Sequence, residues 1–348
     1  MRFFFPTLLC ALSLSAQTRD PFPADFTPSS CAPADSCQSF PRSSMPSAAF
    51  NFLGLSLDAE WIEAHAERIL DSMALACRRQ ATCLATPGNT FAFCDDVLAA
   101  ELQPLCEKLF GTNDRDRAQC VAFRDTYLLG IDQRAGTIWK EQQECAKKTA
   151  AAHDEPLEVW MDPPRLPAGF SGTVRFFALD PDKHVPVLAR ITFEGQRVYS
   201  AANPAGNPAT FYPIEYALKY TRVPNAEGHT ELVPPMIIVT APAYPDAAGG
   251  PPWPEMRFRL AADVPTLVVE MTPPAEKLRR GANNVTIAAH DAATGKPVEM
   301  RVYVGADAIG NTNTPLSIEV DKSGHRPEIW LRSLFDQYSD VVVARASP

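Results

Sequence analysis

Hydrophobic positions divide the chain into two regions of different period. From Ser56, which suits an N-cap, Ile62, Ala66, Ile69, Leu70, Met73 and Cys77 recur at helical spacing and draw one apolar stripe. A second stripe from about Phe91 to Phe110 carries Cys94, Leu98, Leu102, Leu105, Cys106 and Leu109. Pro104 kinks or divides it, and Gly111 caps it. A third, from about Asp116 to Ala151, aligns Cys120, Phe123, Tyr127, Ile131, Ile138, Gln142 and Cys145. The first and last of these, Cys120 and Cys145, lie about seven turns apart, so their sulfurs are expected to face the same neighbours. The pattern predicts a helical domain over 56–152, a cross-linked three-helix bundle.

After Asp154 the period falls to two. Short β-branched and aromatic runs alternate with turn residues, and the pattern repeats. Leu157 to Pro164 answers Leu267 to Pro274, Val174 to Asp180 answers Val285 to Asp291, and Pro186 to Phe193 answers Pro297 to Val304. Met256 to Ala262 plays the part of Val341 to Ala346. Two copies of about seven strands each are expected over 155–263 and 264–348, each an antiparallel two-sheet sandwich. The short step at Ala262 to Pro265 limits the angles between them.

The run Val285 to Val304, with its Asp291-x-x-Thr294-Gly295-x-Pro297-Val298 turn between two strands, resembles bacterial immunoglobulin-like and carboxypeptidase regulatory-like β-sandwich domains. Asp291 caps that turn, Gly295 permits positive φ and Pro297 restarts the strand. The first copy reads Asp180 to Pro186 without the glycine. The resemblance covers about the last half of the chain and implies a fold. Such domains serve as spacers, adhesive modules and binding platforms, so it implies no ligand.

Ahead of the helices, residues 1–16 are read as a secretory signal: Arg2, an apolar run, and small residues ending at Ala16. Leu9 stands where a lipidation site at Cys10 wants a small residue, and no later apolar run is long enough to span a membrane. Residues 17–55 form a Pro- and Ser-rich arm. Without Cys10, the cysteines are Cys31, Cys37, Cys77, Cys83, Cys94, Cys106, Cys120 and Cys145. An even set in an exported chain reads as disulfides, with roughly a hundred possible pairings, and the absence of C-x-x-C pairs disfavours zinc. The protein is therefore expected to be secreted or periplasmic. Its net charge of −9 disfavours nucleic acid as a partner.

The six histidines form neither H-E-x-x-H nor H-x-H, and no nucleophile elbow or phosphate loop occurs. No cofactor or metal is expected. His65 sits beside the first apolar stripe, where a satisfied, half-buried imidazole is the simpler reading. Asp180 and Asp182 suit a calcium loop, but the second copy keeps only Asp291, so turn chemistry is preferred. Tyr212, Tyr216 and Tyr220 share one strand face, a sugar platform or, as preferred, core. The Ala241 to Pro254 loop carries Tyr244 and Trp253, which either contact a ligand or pack inward. Asn284 heads an N-x-T sequon, which carries sugar only in a host that adds it.

These features favour a non-enzymatic binding, adhesion or structural protein. Its sandwiches form a stalk, and its partner is an exported protein or envelope polysaccharide. One alternative is a secreted hydrolase with its site in or beside the helices. The other is a disulfide-rich protease inhibitor, for which Ala85 to Thr90 is the candidate loop.

Overall fold

The structure is a computed structural model. It describes Phe22 and residues 26–32, 58–200, 206, 212–243 and 251–346, with 130–138 as helical backbone only. The helices are α1 (Ala59–Leu84), α2 (Phe91–Leu102), α3 (Leu105–Phe110) and α4 (Asp114–Thr149). Strands of the first repeat are β1 (Glu158–Asp162), β2 (Ser171–Leu179), β3 (Arg190–Phe193), β4 (Tyr199–Ser200), β5 (Ile214–Ala217), β6 (Thr221–Pro224), β7 (Thr230–Val233), β8 (Met236–Thr240) and β9 (Met256–Arg259). Those of the second are β10 (Leu267–Thr272), β11 (Gly281–Asp291), β12 (Met300–Val304), β13 (Asp307–Asn311), β14 (Pro315–Val320), β15 (Ile329–Ser333) and β16 (Val341–Ala344).

Two compact units emerge, and both are discontinuous in sequence. The first takes the chain to Pro164 together with Phe176–Ala189 and Ala241–Pro254; the second takes Arg165–Arg175, Arg190–Thr240 and everything from Glu255.

In the first unit, the helices begin where side chains can satisfy free amide groups. Asp58 accepts from the amides of Glu60 and Trp61 at the head of α1, Thr90 from Phe93 at α2, and Asn113 from Asp116 at α4. Pro104 cannot continue α2, so α3 starts afresh after it; Gly111, at φ 56°, ends α3 with its amide on the Glu107 carbonyl. The apolar stripes meet in one core of Trp61, Ile69, Met73, Cys77, Leu98, Leu102, Leu105, Cys106, Cys120, Phe123 and Tyr127. The expectation that Cys120 and Cys145 face the same neighbours needs correction. Cys120 bonds to Cys106 and Cys145 to Cys31, because about seven turns also separate the two along the axis by about 37 Å.

In the second unit, the second repeat has its own core. β10, β11 and β14 make one antiparallel sheet and β13, β12, β15 and β16 another, in those orders. Val285, Ile287, Ala289, Leu316, Ile318 and Val320 of the first sheet share a single buried cluster with Met300, Val302, Ile329 and Leu331 of the other. Strand β14 alternates buried and exposed along its length, as one covered face requires. The first repeat shares β2 beside β5 and β3-β8-β9 with this order, but its β4 pairs with β5 where β13 pairs with β12, and it adds a hairpin, β6-β7, that the second lacks.

The turn that carries the family resemblance is the same in both repeats, down to its hydrogen bonds. In the second, the Gly295 amide donates to the Asp291 carbonyl at 2.8 Å, the Asp291 amide to Lys296 at 2.9 Å and the Val298 amide to Ala289 at 2.8 Å. In the first, His184 donates to Asp180 at 2.8 Å, Asp180 to Val185 at 3.0 Å and Val187 to Ala178 at 2.9 Å. His184, at φ 55°, adopts the left-handed conformation that Gly295 adopts at 67°.

A methyl group on Gly295 would meet nothing within 4 Å, so Gly295→Ala isolates the backbone cost of that conformation. The substitution is expected to lower stability by about 1–2 kcal/mol, measured by denaturant titration followed through hydrogen exchange of β11 and β12.

Candidate binding surface

Three structural features bear on binding. They are the cross-linked helical end of the first unit, the wall on which Trp253 rests, and a charged clamp in the second unit.

Three described disulfides join Cys31 to Cys145, Cys83 to Cys94 and Cys106 to Cys120, and Cys77 is disulfide-bonded too. Cys37 lies outside the described residues. Bonding of Cys83 to Cys94 closes the connection from α1 to α2, and inside that connection sits Asn89, 2% exposed. Its amide nitrogen donates to the carbonyls of Cys83 at 3.1 Å and Pro186 at 3.0 Å, and its oxygen accepts the Leu188 amide at 2.8 Å. Gln143, also buried, reaches from α4 to the carbonyls of Leu84 at 2.6 Å and Thr86 at 3.0 Å. The connection is thus an internal joint between the helices and the Phe176–Ala189 segment. Ala85, Thr86 and Asn89 are buried, so Ala85 to Thr90 offers no exposed loop to a protease, and the inhibitor reading loses its candidate.

Trp253 is 8% exposed, its amide donates to the Ala241 carbonyl at 3.0 Å, and its ring stacks on His153 with centroids 3.4 Å apart. Tyr244 lies outside the described residues. Burial holds the His153 imidazole below its ordinary pKa, with the charge of Asp180 pulling the other way. Asp180 does turn work: its carboxylate accepts the amides of Asp182 and Lys183, each at 2.9 Å. His65 likewise has a local role, with Nδ1 at 2.8 Å from the Trp61 carbonyl oxygen and its ring stacked on Trp61. Tyr216 is 3% exposed and packs on Phe193, and burial pushes its hydroxyl up to about 12; it is core, whereas Tyr212 and Tyr220 lie beyond the ends of β5 and are half-buried. Asn284 is exposed on β11.

Sequence reading missed the clamp. The β6-β7 hairpin of the first repeat meets the end of the second repeat through Asp340, whose side chain is fully buried. Its carboxylate accepts the Thr230 amide at 2.9 Å and lies 3.4 Å from Arg222 and 3.3 Å from Arg332, while its own amide donates to the Thr230 carbonyl at 2.7 Å. Beside it the Leu232 amide donates to the Ser339 hydroxyl at 2.9 Å, and Arg222 also pairs with Asp336 at 2.6 Å. His229 stands 3.2 Å from Glu328 and packs on Trp330, whose other neighbours are the Tyr303 ring, stacked at 4.2 Å, and the Arg332 guanidinium at 4.8 Å. The one available signal was the surplus of sequence between Leu218 and Met236, which the second repeat does not match.

No group of three or more His, Cys, Asp or Glu side chains placed to hold a metal occurs among the described residues, and no described helix is long and apolar enough to cross a membrane. No protein family, curated protein or solved structure matches the chain.

Asn89→Ala removes a donor and an acceptor at once from a dry joint. It is expected to cost the first unit about 2–4 kcal/mol, read by hydrogen exchange of α1 and α2, with the second repeat unchanged. The depressed His153 pKa has a definite sign. Between the folded value and the ordinary 6.5 the unfolded chain binds more protons, so this contribution is complete above 6.5 and declines as pH falls through that window. Thermal melts of the first unit should show this slope in the wild type and lose it in His153→Gln.

Proposed function

We propose that the chain is an exported, non-enzymatic binding protein. In this reading two immunoglobulin-like sandwiches form a stiff support, and the disulfide-stapled helical unit makes contact with another exported protein or an envelope polysaccharide. The clamp at Asp340 carries the reading. A short linker limits the angles between two domains without fixing one, whereas this joint adds backbone hydrogen bonds, a buried carboxylate between two guanidinium groups, and aromatic packing. A stiff joint suits a part that sets position and distance. The disulfides support an oxidising compartment. The order β10-β11-β14 against β13-β12-β15-β16, with one core between, supports the immunoglobulin-like assignment.

The test uses the whole mature chain, because the helices share their unit with Phe176–Ala189 and Ala241–Pro254 and a helical fragment would lack both. Immobilised protein is exposed to envelope fractions and culture medium of its source, and each retained species is purified and titrated in solution. The expected result is saturable binding of one exported protein or polysaccharide. Asp340→Ala should leave that binding intact while costing about 3 kcal/mol and broadening the small-angle scattering profile. Failure to retain anything, combined with turnover in a broad hydrolase screen, would replace this reading with the enzymatic one. A scattering profile unchanged by Asp340→Ala would remove the support role.

A further inference from the structure

The described disulfides are not equally protected. Cys83, Cys94 and Cys120 are fully buried, and Cys106 and Cys77 are 1% exposed. Cys31 and Cys145 are both half-buried, and the Cys31 sulfur lies 3.6 Å from the exposed Thr149 hydroxyl. This accessible bond also ties residues 26–32, the described part of the N-terminal arm, to the helices, joining positions 114 residues apart in sequence. Cys83–Cys94 and Cys106–Cys120 cross-link nearby positions within the bundle, with separations of 11 and 14 residues.

The described part of the arm lies at the surface, with Thr27, Pro28 and Ser30 exposed and Phe26 and Ser29 half-buried. The Thr27 amide donates to the Lys183 carbonyl at 2.9 Å and the Ser29 amide to the Thr82 hydroxyl at 3.4 Å. Phe22 and Phe26 lay their rings over the Arg79 guanidinium at 5.7 and 5.1 Å. Beneath them Arg79 is wholly buried and paired with Glu101. Surface contacts of this kind, hydrogen bonds and cation–π contacts, are each weaker than a covalent cross-link.

We propose that Cys31–Cys145 is a reducible clasp, opened by a dithiol under conditions in which the buried disulfides stay closed, and that its opening frees residues 26–32 and uncovers the Arg79–Glu101 pair. One thiolate of the dithiol attacks either sulfur, forming a mixed disulfide and expelling the other cysteine as a thiolate, which takes a proton from water. The second thiol of the dithiol then displaces the remaining cysteine and closes the reagent's own disulfide. The protein gains two electrons and two protons, and the dithiol loses them.

The folded chain is treated with dithiothreitol at neutral pH without denaturant, quenched at intervals with a maleimide, and mapped by peptide mass spectrometry. Cys31 and Cys145 are expected to be labelled at least about tenfold faster than Cys83, Cys94, Cys106 and Cys120. Hydrogen exchange should then rise at residues 26–32 and around Arg79, while the rest of α1 and α4 stays protected. Labelling of all six cysteines at one rate would show that reduction follows global opening and overturns the clasp. Fast labelling with no change at residues 26–32 would overturn the release. A Cys31→Ser/Cys145→Ser chain that keeps its helical circular dichroism should show the same exchange pattern without reductant; if it fails to fold, the wild-type kinetics still decide.

Discussion

Asn89 sets the constraint on which the first unit depends. A carboxamide taken out of water must find partners for both its ends, and each group left unmatched costs about 1–3 kcal/mol. Here the partners come from two parts of the chain: the Cys83 carbonyl at the end of α1, and the Pro186 carbonyl and Leu188 amide roughly a hundred positions later. Only one placement of the α1–α2 connection against the Phe176–Ala189 segment satisfies all of them. The Cys83–Cys94 bond narrows that connection beforehand, so the amide meets its partners with little chain entropy left to lose. This arrangement explains why the helices and the turn of the first repeat belong to one compact unit. The change from period 3.6 to period two in the sequence marks a change of secondary structure and not a boundary of packing.

Much of the local structure is legible in the sequence because it depends on neighbours in the chain. Pro104 and Gly111 fix the break between α2 and α3 and the end of α3 through backbone chemistry alone. The alternation at Ile214, Tyr216 and Leu218 marks a buried strand face that the structure keeps. The turn after β2 is the most instructive case, since its first copy has lost the glycine, threonine and lysine of the second yet folds to the same hydrogen bonds. What survives is an aspartate whose carboxylate collects the amides that follow it, at Asp180 as at Asp291. A histidine then tolerates a conformation usually left to glycine because the surrounding ladder fixes it.

The clamp and the disulfide pairing were not legible, for a common reason. Both rest on contacts between residues far apart in sequence, where periodicity carries no information. Asp340 looks like any charged residue before a final strand, and only the hairpin folded against it reveals a buried carboxylate between Arg222 and Arg332. Cys120 and Cys145 share a helical face and so looked equivalent. A face is a direction, however, and position along α4 decides which partner each sulfur can reach. Trp253 shows the same limit: a proline-rich loop can present a tryptophan or tuck it away, and here the ring lies against His153.

The two kinds of tie serve different ends. Cys83–Cys94 and Cys106–Cys120 close short loops inside a core that already excludes solvent, so they add to a structure that packing also supports. Cys31–Cys145 closes a long loop at a partly exposed site, where the residues beside it at 27, 28 and 30 are open to solvent. The clamp in the second unit joins distant segments without any cysteine, drawing on ion pairs, backbone hydrogen bonds and stacked rings. A chain that keeps cysteine to its first 145 positions therefore confines redox sensitivity to one end. The joint between its repeats contains no cysteine and rests on ion pairs, backbone hydrogen bonds and stacked rings. The attachment of the arm and the joint between the repeats are thereby governed by separate chemistry.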